Sequence, residues 1–373
     1  MVVSVSWPNE DIEVRVSDFC AEAGDDQVYT VTSLTDADDS VRIKPFPVRD
    51  GCTAKIVKVS DLIYLPPTEP VEVPLSNYHD ELIEAVGSHL IARTVFLAYG
   101  KQPIGTGTLV RCQGVYGILT ASHVLHAVEP EVGLGEYDGK FLHVCIDDKR
   151  SAKFAIPCEL LREIVVGEPK PNPKRSDYRW EGPDVTFIRI PEHKWLSKIK
   201  DYKLFVDVDE QLRNYAVPPE ESTVFSVGFP EALFKPRSDG KGLTVRFMSI
   251  ALGKLAELTK IEDNGFQYLE FPVQLVQPNV KENIPKTFRG ISGGGIWCYR
   301  LLKTEDDDGC VRIGFDAALL SGVNYYQSDI HVDPEYGESR TIRCHFYNVL
   351  EHLQQRLIAD ADGGSFDDFK VAT

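Results

Sequence analysis

The sequence predicts a mainly β protein, on three observations. Alternating runs recur in the first part of the chain: Ile12-Glu13-Val14-Arg15-Val16, Val28-Tyr29-Thr30-Val31-Thr32 and Lys55-Ile56-Val57-Lys58-Val59. Their period of two turns one side of a strand inward and the other outward. Further along, short apolar runs at 115–119 and 185–190 follow Gly or Gly-Pro signals, as strands commonly do. The chain also lacks the alternating strand and helix units that a parallel sheet requires.

Taken in order, residues 1–75 read as a small β-rich extension with Asp/Gly turns between its strands. Pro66-Pro67-Thr68-Glu69-Pro70 and Pro74 form a linker or extended crossover. Ser76 and Asn77 are capping residue types ahead of Leu82, Ile83, Val86 and Leu90, which share one helical face. Strands dominate from 94 to 190, interrupted by a polar loop at 167–183, so 76–200 reads as one domain with a leading helix. A second domain spans 201–358. It holds strands from 204 to 326, a charged hairpin loop at 231–242 and a strand at 267–276. Phe346, Val349, Leu350, Leu353 and Leu357 then give a closing helix over 346–358. Residues 359–373 are acidic and Gly-rich, the composition of a frayed tail.

Composition narrows the function classes. The content of 43% hydrophobic and 26% charged residues is that of a globular protein. No apolar run approaches the ~20 residues that span a bilayer, and the first residues lack the pattern of a signal peptide, so no membrane association and a cytoplasmic location are expected. Net charge is −17, from 40 basic and 57 acidic residues, which repels phosphate backbones. The densest basic stretch, Lys170 to Arg175 with Arg179 nearby, is Pro-rich and reads as a solvated loop, so no nucleic-acid partner is expected. Eight cysteines show no C-x-x-C pair and no zinc spacing. They read as small buried hydrophobes in a reducing compartment.

Chemistry concentrates in Phe288-Arg289-Gly290-Ile291-Ser292-Gly293-Gly294-Gly295. Glycine runs weaken regular structure and occur where backbone approaches something closely or takes positive φ. Here the N–H groups of Gly290 and Ser292 can face one oxygen beside the Ser292 hydroxyl, an oxyanion hole at a nucleophile. A serine needs a base, and His123 follows the apolar run at 115–119 through the small residues Ala121 and Ser122. The base needs an orienting carboxylate. Asp184 supplies it at the mouth of what reads as an alternating strand with one apolar face. Asp147, Asp148 and Asp177 lack such a strand, and His126 falls one helical turn beyond His123 as a surface or packing residue.

At these residues the chain resembles the trypsin-like, chymotrypsin-fold serine peptidases. Thr120-Ala121-Ser122-His123, Asp184-Val185-Thr186-Phe187-Ile188 and Gly290-Ile291-Ser292-Gly293-Gly294 match that family's base, orienter and nucleophile motifs in its order. The similarity covers about residues 94 to 357. Weaker echoes lie at Gly105-Thr106-Gly107-Thr108-Leu109-Val110, at 224–230 and at 318–323. The resemblance implies two six-stranded antiparallel β-barrels, one in each domain, with substrate between them. It implies an intracellular, bacterial serine endopeptidase that acts on a protein or peptide and needs no cofactor or metal. It also places a substrate pocket at Lys286, Thr287 and Arg289, with a wall at Ser321, Gly322 and Val323. Lys286 on the pocket floor favours an acidic or small polar residue before the cut; the alternative is that Lys286 turns to solvent. Ile291 stands where secreted members carry the Asp that pairs with a newly cut N-terminus, so activation by that route is not expected.

Two other readings remain in view. The segment also fits G-x-S-x-G of the α/β-hydrolases, with Asp316 and His331 as nominal partners. That fold needs a helix after the serine, whereas Gly293 to Tyr299 reads as a strand. A peptidase-fold binding module with latent or absent activity is the second, and the N-terminal extension could dock a partner protein.

Overall fold

A computed structural model describes residues 19–22, 28–34, 40–45, 55–65, 80–99, 102–126, 141–145, 153–167, 170–171, 180–181, 183–191, 194–236, 243–274, 285, 287–305, 311–327, 331–333 and 337–361. The chain is mainly β, with antiparallel sheets and a C-terminal helix. It divides into two compact units. One comprises Met1–His89, Glu221–Thr223 and Cys298–Ala318; the other Leu90–Glu220, Val224–Trp297 and Leu319–Thr373.

The smaller unit contains a five-stranded sheet. Its order is Lys55–Lys58, Ser40–Pro45, Val28–Leu34, Phe19–Glu22 and Leu62–Leu65. The alternation at 28–32 and 55–59 does form strands, and Tyr29, Val31, Val41, Ile43, Val59 and Leu62 share a buried cluster. This core is the sheet's own, so apolar burial holds the extension together. The run at 12–16 and the Pro-rich stretch at 66–74 lie outside the described residues. So do the expected caps Ser76 and Asn77; the helix spans Asp80–Ile91, with Val86 and Leu90 buried.

The chain further holds two eight-stranded sheets. The first runs in the order Lys153–Pro157, Phe141–Cys145, Thr94–Tyr99, Gln102–Cys112, Val115–Thr120, Val185–Arg189, Arg162–Gly167, and Val206–Asp207 pairs parallel with Gln102–Cys112. Two departures from expectation concern its C-terminal part. Val185, Thr186, Phe187 and Ile188 are all buried, so this strand is covered on both faces and does not alternate. A two-residue ladder, Lys170–Pro171 with Trp180–Glu181, crosses the expected polar loop.

The second sheet runs Met248–Lys254, Thr223–Gly228, Gly295–Glu305, Val311–Gln327, Gly337–His345, Phe266–Gln274, Thr259–Asp263, with His331–Asp333 beside Gly337–His345. The expected hairpin near 231–242 is present as Lys235–Pro236 paired with Leu243–Thr244. Among the described residues, no ladder joins the end strands of either sheet, so closure into the expected six-stranded barrels is not shown.

The closing helix is Asn348–Ala361, with Val349, Leu350, Leu353 and Leu357 buried. It packs on Arg162–Gly167 of one sheet and Phe266–Gln274 of the other. Each fully buried leucine contributes about 2 kcal/mol by removal of apolar surface from water. Cys112, Cys158, Cys298 and Cys344 are buried and Cys145 is half-buried. Among the described residues no helix is long and apolar enough to cross a membrane.

Candidate active site

Strand pairing brings His123 and Asp184 together. Val115–Thr120 lies antiparallel to Val185–Arg189 with Thr120 opposite Thr186. The chain leaving Thr120 and the chain entering Val185 therefore meet at one end of the sheet. Past Thr120 the backbone turns into the short helix Ser122–His126, which carries His123. Asp184, 2% exposed, accepts twice from the same histidine. The His123 backbone N–H donates to Oδ1 at 3.0 Å, and Nδ1–H donates to Oδ2 at 2.5 Å. The histidine ring keeps 29% of its surface open while its partner is covered.

The two pKa values move apart. Burial alone pushes the His123 imidazole down, but the Asp184 charge and hydrogen bond outweigh it and hold the ring above the ordinary 6.5. Burial likewise pushes the Asp184 carboxyl up. The charge of His123 and its two hydrogen bonds win, leaving Asp184 below the ordinary 3.8. Asp184 is therefore ionised at neutral pH, and His123 is poised to hold a proton.

Ser292 lies on the turn that leads into Gly295–Glu305, not on a helix start. With the antiparallel sheets, this removes the α/β-hydrolase reading. The turn is tied down from both sheets. Thr106, fully buried in Gln102–Cys112, donates its N–H to the Ser292 carbonyl at 2.9 Å. Its hydroxyl donates to the Gly290 carbonyl at 2.7 Å and accepts the Phe229 N–H at 3.0 Å. From the other side, Asn324 exchanges backbone bonds with Gly293 and Gly294 at 2.7 and 2.8 Å. Its side chain is held by the Ser226 hydroxyl and the Val227 carbonyl.

Two glycines are required here by geometry. Gly290 has φ +96 and Gly293 φ +85, in the region L side chains avoid. A Cβ at 293 would stand 2.0 Å from both the Thr106 carbonyl and the Thr120 hydroxyl. The serine turn thus presses on the end of the strand that delivers His123. Among the described residues neither the Gly290 nor the Ser292 N–H is paired with a backbone acceptor. The His123 ring and the Ser292 hydroxyl are not hydrogen-bonded to one another.

The expected substrate pocket is placed unevenly. Lys286 lies outside the described residues. Thr287 is half-buried, and its hydroxyl accepts the Arg289 N–H at 3.3 Å. Arg289, 80% exposed, forms an ion pair with Glu231 at 3.2 Å. The expected wall Ser321-Gly322-Val323 lies within the strand Val311–Gln327. Ser321 and Val323 are fully buried, and the Ser321 hydroxyl donates to the Leu319 carbonyl. A Cβ at Gly322 would meet the His345 carbonyl at 1.8 Å. Ile291 is buried against Gly228, a core contact where the resembled family has an ion pair. Among the described residues no group of three His, Cys, Asp or Glu is placed to hold a metal ion.

Thr106, Asn324 and His345 were not singled out in the sequence. Thr106 sits within a glycine-flanked strand motif that could have marked it. Asn324 and His345 carry no local signal, because their roles depend on strands paired far apart in the chain. No family model matches this chain, and a search of curated proteins finds no match.

Proposed function

We propose that this protein is a serine endopeptidase of the trypsin-like kind, with Ser292 as nucleophile, His123 as base and Asp184 as orienter. The observation that carries the reading is the buried Asp184 carboxylate bonded twice to a half-exposed His123. A carboxylate so placed fixes the Nδ1–H tautomer and leaves Nε2 free to take a proton. Ser292 Oγ attacks the scissile carbonyl as its proton passes to His123 Nε2. The tetrahedral oxyanion is held by the Gly290 and Ser292 N–H groups. Collapse breaks the C–N bond, and the proton moves from His123 to the leaving amine. Water then repeats the sequence on the acyl-enzyme and restores Ser292. On this reading the two eight-stranded sheets are the two barrels of that fold.

Ser292→Ala removes the nucleophile and is expected to abolish peptide turnover while leaving the thermal unfolding transition unchanged. Turnover by the alanine variant equal to wild type rejects the proposal. A peptide library varied at the residue before the cut decides the role of Lys286. An acidic preference places its charge in the pocket, and none or a basic one turns it to solvent.

A second reading is favoured by one observation, the missing hydrogen bond between His123 and Ser292. Such bonds are often long until substrate tightens them, but a latent enzyme has the same appearance. A chain beginning at Ser76 that reacts with a fluorophosphonate faster than the full chain marks latency. Equal reaction marks an active enzyme.

A further inference from the structure

His345 ends the strand Gly337–His345 and is fully buried. Its Nε2 accepts the backbone N–H of Asp184 at 3.0 Å. With Nε2 accepting, a neutral ring must carry its proton on Nδ1, and among the described residues Nδ1 has no hydrogen-bond partner. The rings of Tyr325, Tyr268 and Phe266 surround it at 4.6, 5.0 and 5.8 Å between centroids. A phenyl ring would fill this aromatic cage with no Nδ1–H to strand, but it would leave the Asp184 N–H without its acceptor. What the imidazole adds is the acceptor aimed at Asp184.

We infer that His345 is a positioning residue for the triad: its neutral ring anchors the Asp184 backbone and so fixes the carboxylate that orients His123. The inference rests on reading His123 as the base. Asp184 faces the ring from the segment before Val185–Arg189. Arg343 lies on its own strand, His352 on the closing helix, and Tyr268 and Tyr325 on the flanking strands. Burial, helped by His352 and Arg343 and opposed by Asp184, holds the imidazole down to about 3. The acceptor therefore persists through mildly acid pH. One histidine thus holds the Asp184 backbone while the other, His123, pairs with its carboxylate.

Two variants and one measurement on the wild-type chain test this. His345→Phe keeps the ring packing and removes the acceptor, whereas His345→Gln keeps an acceptor. The Phe variant is expected to react with a fluorophosphonate at Ser292 about 10- to 100-fold more slowly, the scale of a small misplacement of catalytic groups. Its acid limb is expected to shift toward lower pH, as His123 loses part of its carboxylate partner. The Gln variant recovers most of the rate. In the wild-type full chain, nitrogen-15 histidine NMR is expected to show one imidazole still neutral and protonated on Nδ1 at pH 5, lost in the Gln variant.

A folded Phe variant with the wild-type rate and pH profile overturns the assignment and leaves the peptidase reading standing. If the Phe variant does not fold, the wild-type spectrum decides. All nine histidines charged at pH 5 overturns the assignment. Wild-type protein that fails to react at Ser292 counts against an active enzyme rather than against this inference, and the NMR result then decides whether His345 anchors Asp184.

Discussion

Asp184 does two things with its two carboxylate oxygens, fixing the His123 backbone through one and the ring through the other. Asp184→Asn removes the charge and permits the wrong tautomer of His123, so kcat is expected to fall by about 10⁴ with little change in substrate binding. Steady-state kinetics at pH 7.5 checks this. On the proposed mechanism His123 must be neutral to accept a proton, and its pKa is held above 6.5, so kcat/KM should rise through an acid limb centred above that value. In Asp184→Asn the limb should move down. His123 and Asp184 were legible because each sits in a short motif joined to an apolar strand. His345 was not, since 161 residues separate it from Asp184 and nothing near it in the chain marks a buried acceptor. Lys286 stays open because its chemistry depends on which way a loop turns.

Among the elements, the serine turn depends most on its neighbours, being bonded to Thr106 on one side and Asn324 on the other. Gly293→Ala places a methyl group against the Thr106 carbonyl and Thr120 hydroxyl at a positive φ. It is expected to destabilise by at least ~2 kcal/mol and to lower activity beyond that loss, as seen by thermal melts beside kinetics. Thr106→Val leaves the Gly290 carbonyl and the Phe229 N–H without the hydroxyl they share. A cost of about 1–3 kcal/mol per unsatisfied buried group is expected, measurable by denaturant unfolding. The closing helix was legible because the 3.6-residue period of Val349, Leu350, Leu353 and Leu357 matches its buried face. The strand at 185–189 was legible in place but not in pattern. Alternation describes a sheet with one wet face, and here both faces are covered.

For the molecule as a whole, buried titratable groups make stability depend on pH. The His345 ring resists its proton down to about 3, while in the unfolded chain it takes one near 6.5. Its contribution is full above 6.5 and falls as pH drops from 6.5 to 3. Asp184, held below 3.8 when folded, adds a further loss at the acid end. His123 acts oppositely: its pairing stabilises fully below 6.5 and fades as pH rises through its raised folded value. Melting temperature is therefore expected to decline between pH 6.5 and 3.5, and His345→Phe should flatten that decline. Each proton taken up on unfolding sets a slope of about 1.4 kcal/mol per pH unit. The mainly β character of the chain was foreseen from its alternating runs, but which distant strands pair was not. Local periodicity says nothing of where a strand's two ends are packed. The most direct test is mass spectrometry after fluorophosphonate treatment of the full chain, its His123→Ala variant and its Ser292→Ala variant. One label on Ser292 in wild type, lost in both variants, is the expected result. A label on another residue, or one undiminished by His123→Ala, contradicts a relay running from Asp184 through His123 to Ser292.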